Sequence, residues 1–135
     1  MKTLISTITT LGIVVLLLTQ CNKADFFYDL YFYTNMDSAD VTLSIYLDDE
    51  FDGEIPYLST DPTCDNDTLK QQSLLLTVQS GKYDVVAKDA QGNIKASGEI
   101  KVGANGYKYE SQIGKIEATT MTVGNDHCMV IGLNY

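Results

Sequence analysis

A chain of 135 residues that is 44% hydrophobic and 20% charged has the balance of one globular domain, not of a disordered or collagen-like chain. Its nine basic residues are all lysine and stand against 18 acids, a formal charge of −9 that argues against nucleic acid as a partner. One histidine, three cysteines and no tryptophan leave too few soft ligands for a zinc site and no obvious aromatic platform.

Met1 and Lys2 form a short basic start, and the apolar run from Leu4 to Leu18 stops at Thr19-Gln20-Cys21. This pattern predicts a secretory signal peptide over 1–20, because the run is shorter than the ~20 apolar residues of a spanning helix. Leu18-Thr19-Gln20-Cys21 resembles the lipobox of bacterial lipoproteins. The resemblance implies cleavage before Cys21, a diacylglycerol on its sulfur, a short tether over 21–25 and a single domain over 26–135. It also implies export to the bacterial envelope, at the outer membrane, with the membrane as a partner through the lipid. An ordinary signal peptide that ends at a chance cysteine is the alternative. With Cys21 lipidated, Cys64 and Cys128 remain as an even pair in an oxidising compartment, and a disulfide between them is expected over two buried free thiols.

Period two dominates from residue 26 onward, and no stretch of a dozen residues holds a helical spacing. Phe26, Tyr28, Leu30 and Phe32 alternate with Phe27, Asp29, Tyr31 and Tyr33, so both faces of the first strand are largely aromatic. Val41 to Leu47 reads as a half-buried strand that runs into an acidic turn at Asp48-Asp49-Glu50-Phe51-Asp52-Gly53, followed by a short edge segment at Ile55-Pro56-Tyr57-Leu58. A polar loop from Ser59 to Thr68 precedes the alternation of Leu74, Leu76 and Val78. Tyr83, Val85 and Ala87 pattern the next strand, and a loop at Asp89–Asn93 returns into a strand with Ile94, Ala96, Gly98, Ile100 and Val102 inward and Lys95, Ser97, Glu99 and Lys101 outward. Weaker segments run from Tyr107 to Val123, and Met129, Ile131 and Leu133 share a face of the last strand, opposite Cys128 and Val130. About eight short strands predict an all-β fold: a small antiparallel β-sandwich of immunoglobulin-like or prealbumin-like kind, with an up-and-down barrel as the alternative.

The stretch from Val41 through Asp48-Asp49-Glu50-Phe51-Asp52-Gly53-Glu54-Ile55-Pro56 resembles the strand, acidic turn and Gly-x-x-Pro element of PEGA-type and carboxypeptidase-regulatory-like sandwich modules. Ser80-Gly81-Lys82-Tyr83-Asp84-Val85 resembles their later Gly-x-Tyr-x-Val strand. The resemblance implies a sandwich with an accessory binding or structural role and no catalytic residues.

Asp48, Glu50 and Asp52 overlay the first half of a calcium loop, but the position of the closing glutamate holds Ser59, so a solvated turn competes with a weak calcium site. Asp61, Asp65, Asn66 and Asp67 form a second oxygen-rich cluster beside Cys64. Asp37-Ser38-Ala39 and Asp67-Thr68-Leu69 resemble an O-glycosylation signature of certain anaerobic Gram-negative bacteria, which implies Ser38 and Thr68 as acceptors in loops. His127 lacks a catalytic partner and is expected at an exposed edge. Phe27, Tyr31 and Tyr33 form a contact patch if their face is uncovered, and a filled second face if the strand is central.

These readings predict a protein that is not an enzyme and needs no cofactor: a lipid-anchored binding or structural module with a protein or glycan partner. An acidic, disulfide-bonded lipoprotein also resembles small bacterial inhibitors of host lysozyme, which implies an inhibitor of a cationic enzyme as the competing function.

Overall fold

In the computed structural model, residues 26–36, 41–123 and 126–135 are described. Alternating apolar and polar side chains build nine strands in them: β1 (Phe27–Tyr33), β2 (Leu43–Leu47), β3 (Glu50–Ile55), β4 (Leu74–Gln79), β5 (Gly81–Lys88), β6 (Ile94–Gly103), β7 (Gly106–Ile113), β8 (Lys115–Val123) and β9 (Asp126–Asn134). A single helical turn, α1 (Asp67–Lys70), lies between β3 and β4.

The strands form two open sheets, one ordered β4-β1-β9-β8 and the other β3-β2-β5-β6-β7. This is an all-β sandwich, and the barrel alternative falls because neither sheet closes on itself. Nine strands stand where about eight were expected. The weak region after residue 106 resolves into β7 and β8, separated by Gly114. Gly114 has φ +63°, and a Cβ there would lie 2.6 Å from the Asn134 carbonyl oxygen and 2.8 Å from that of Lys95. Only glycine turns this corner from one sheet to the other without strain. Among the described strands every pairing is antiparallel except that of β1 with β9, and an isolated parallel bridge joins Thr34 to Tyr57.

The two inner faces bury one core. Tyr28, Leu30 and Phe32 from β1 and Met129, Ile131 and Leu133 from β9 face Leu43, Ile45, Val85, Ala87, Ile100 and Val102 of the other sheet. Each large apolar side chain so buried contributes about 1.5–3 kcal/mol. Ile94, expected inward, is exposed because the β5–β6 register slips between Ala87 and Lys88.

The acidic turn after β2 is shorter than its sequence suggests. Asp48 and Asp49 both have positive φ, 49° and 69°, the backbone of a two-residue hairpin turn, so β3 begins already at Glu50. Beyond β3 the chain crosses to the other sheet: Thr34 N donates to the Pro56 carbonyl at 3.0 Å, and Leu58 N donates to that of Thr34 at 2.9 Å. These bonds hold the start of the 56–73 segment against the end of β1. Among the described residues no helix is long and apolar enough to cross a membrane.

Candidate functional site

Because β1 lies inside its sheet, its outward side chains have neighbours on both sides. The register sets Tyr31 between Leu75 and Val130, and Asp29 between Thr77 and Cys128. The disulfide from Cys64 to Cys128, with Cα atoms 6.0 Å apart, draws the 56–73 segment across this outer face. Leu58 and Cys64 then pack on Tyr33 and Val130 as a second, smaller core, with Tyr31 and Cys128 at its margin.

The aromatic face of β1 is therefore graded. Phe27 is 57% exposed, Tyr31 is half-buried and Tyr33 is only 8% exposed. Tyr33 thus leaves the expected contact patch, because the stapled segment covers it and its ring lies on Gly132, where a Cβ would stand 2.8 Å from the phenol oxygen. Burial pushes the Tyr33 phenol up to about 12, and the neighbouring Asp61 carboxylate adds to the shift.

Two further residues complete the open part of the face. Leu75 on β4 is 47% exposed and Met121 on β8 is 41% exposed, the latter beside Cys128 in the register. Leu75 sits at the odd position of Leu74-Leu75-Leu76, and that parity was the available sequence signal. Between Tyr31 and Leu75 opens a shallow hollow of about 280 Å³, lined also by Asp67, Lys70, Gln71 and Ser73. Lys70 Nζ stands 5.6 Å from the centre of the Tyr31 ring and pairs with Asp67 at 2.8 Å. Asn66 caps α1 by accepting from Leu69 N at 3.1 Å, which fixes the turn that carries both charges. An aromatic flank, an ammonium, a carboxylate, an amide and a hydroxyl around one hollow suit a ligand that stacks and hydrogen-bonds at once.

The other sequence candidates fall elsewhere. Asp48 Oδ1 accepts from Asp84 N at 2.8 Å and Asp52 Oδ2 accepts from Leu47 N at 3.1 Å, so these carboxylates serve the hairpin backbone. Glu50 lies exposed at the start of β3. In the second oxygen cluster Asp61 accepts from Asn35, and Asp65 accepts from the Thr63 hydroxyl, which holds its carboxyl below the usual range. No group of three or more His, Cys, Asp or Glu among the described residues is placed to hold a metal.

Thr68 lies on α1 and not in a loop, since Asn66 caps a turn that no sequence period announces, yet it stays exposed. Ser38 and Cys21 lie outside the described residues. His127 is half-buried where an exposed edge was expected: its ring centroid is 4.9 Å from that of Tyr28 and 6.4 Å from that of Phe26, and β9 holds it beside Thr122 of β8. Compared with protein-family models, curated proteins and solved structures, the chain matches none of them.

Proposed function

We propose that this chain is a non-catalytic, lipid-anchored envelope protein that binds a protein or glycan partner through the outer face of its four-stranded sheet. The observation that carries this reading is the exposed apolar set of Phe27, Leu75 and Met121 on the same outer face as the Tyr31–Lys70 hollow, a face across which the Cys64–Cys128 bond ties the 56–73 segment. A lipid on Cys21 would hold this face near the bilayer, since β1 starts only a few residues later. The lipobox resemblance supports that anchor, and intact mass tests it: a chain still beginning at Met1, or an unmodified Cys21, removes it.

The binding claim is tested by capture from native envelopes with the wild-type chain and with a Tyr31→Ala/Leu75→Ala variant. Recovery of an envelope protein or glycan by the wild type alone is the expected result. Equal recovery by the variant would sink the assignment of the face. The excess of 18 acids over nine lysines favours a second reading, an inhibitor of a cationic host enzyme such as lysozyme. Loss of lysozyme activity on adding the purified protein would select it. Turnover of a glycan, peptide or ester panel would overturn both readings.

A further inference from the structure

The outer face of the five-stranded sheet carries its charges in rows. Register places Lys82 opposite Lys101 and Lys101 opposite Lys108. Two residues along the strands it places Asp84 opposite Glu99 and Glu99 opposite Glu110. Like charges directly opposite one another across a sheet repel. The diagonal ion pair of Lys82 with Glu99, at 2.5 Å, relieves the inner end of the rows. At the outer end, on the edge strand β7, Lys108 and Glu110 are exposed, and among the described residues neither forms an ion pair. The Tyr109 side chain between them is 48% exposed although it stands opposite the fully buried Ile100. A hollow of about 210 Å³ lined by Glu99, Lys101, Lys108, Tyr109 and Glu110 lies at this same edge.

An edge strand also presents a row of unpaired backbone donors and acceptors, a template for another strand. The four edges differ in what they would accept. β3 carries Glu50, Asp52 and Glu54 and would repel a copy of itself, and β4 has no charge to set a register. On β8 the charges, Lys115 and Glu117, sit at one end, so a copy paired about the strand centre at Thr119 would leave Glu117 opposite Met121. β7 reads Lys108-Tyr109-Glu110, opposite charges placed symmetrically about one residue.

We propose that β7 is a self-association edge: two copies pair their β7 strands antiparallel about a two-fold axis at Tyr109, and the two five-stranded sheets join as one of ten strands. In this register Lys108 of each copy stands opposite Glu110 of the other, and the two Tyr109 rings meet on the inner side. Each lysine row, Lys82, Lys101 and Lys108, then continues into Glu110, Glu99 and Asp84 of the second copy. Rows that repel within one chain become complementary across the axis. The contact is one strand wide and its charges are exposed, so the association is salt-sensitive.

Charge reversal tests this pairing in the full chain purified in a mild detergent, with native mass spectrometry as the readout. The wild type is expected to give dimers whose share falls as salt is raised. Lys108→Glu alone and Glu110→Lys alone should each give single chains, because each sets like charges against one another. An equimolar mixture of the two variants should give the mixed dimer, and the double swap Lys108→Glu/Glu110→Lys should restore the self-dimer. Both side chains are exposed, and circular dichroism verifies that each variant is folded. A wild type that stays single at every concentration, single variants that dimerise like the wild type, or a mixture without the mixed dimer would each overturn the proposal.

Discussion

The Tyr33 phenol is pushed up to about 12, against 10.0 for a free tyrosine, because the stapled segment keeps water from it and Asp61 opposes a second negative charge beside it. A group whose folded value is raised contributes stability that is whole below the unfolded value and is lost as pH rises through the folded one. The wild type should therefore lose stability between pH 10 and about 12 in a way that a Tyr33→Phe variant does not. Urea denaturation of both proteins at about pH 8 and about pH 11 measures this, and lysine titration cancels in the comparison. Equal losses in the two proteins would show that Tyr33 ionises freely, and that the second core is looser than its packing implies.

Among the elements, the loop between β5 and β6 depends on one carboxylate. Asp89 Oδ1 accepts from Gln91 N at 3.0 Å and from Asn93 N at 2.8 Å, and Oδ2 accepts from Asn93 Nδ2 at 3.0 Å. The Asn93 bonds, ahead of the others, hold its carboxyl below the usual range. For a lowered carboxyl, the stabilisation is present above the unfolded value and is lost as pH falls through the folded one. Asp89→Ala should lower the melting temperature near neutral pH, and in acid well below the ordinary carboxylate range the gap to the wild type should close. Thermal melts at both pH values decide it, and a gap that persists in acid would mean that the substitution acts through packing.

That loop was legible because glycine and asparagine punctuate two alternating runs, and the same alternation announced β2, β4, β5, β6 and β9 with their inner faces, Ile94 of β6 excepted. The parallel pairing of β1 with β9 was not, since a period of two says which face a side chain takes and not which strand lies beside it. For the same reason Phe27 and Tyr31 could be named from sequence, but Leu75 and Met121 joined them only through register. A helix as short as α1 contains too few residues to express a helical period, so Asp67 was read as the end of a polar loop and Lys70 was assigned to no element.

For the whole molecule, the disulfide joins the fold to the candidate face. Cys64 lies in the segment that crosses between the sheets and Cys128 lies on β9, 64 residues later in the chain. Closing a loop of that length removes enough freedom from the unfolded chain to stabilise the fold by about 4 kcal/mol in the chain-entropy view. The main core, between the sheets, does not include either cysteine, whereas the second core of Tyr33, Leu58 and Val130 depends on Cys64 lying across it. Replacing both cysteines by alanine should therefore leave a folded sandwich that is less stable by about 4 kcal/mol in denaturant titration. The Tyr31–Lys70 hollow should suffer more than the fold, because the segment that carries Lys70 loses its tie to β9. Hydrogen exchange would register this as fast amides over residues 56–73 with the inner strands still protected. Uniform loss of protection across both sheets would mean that the bond holds the entire domain together. Two alkylatable thiols in the native wild-type protein would remove the premise.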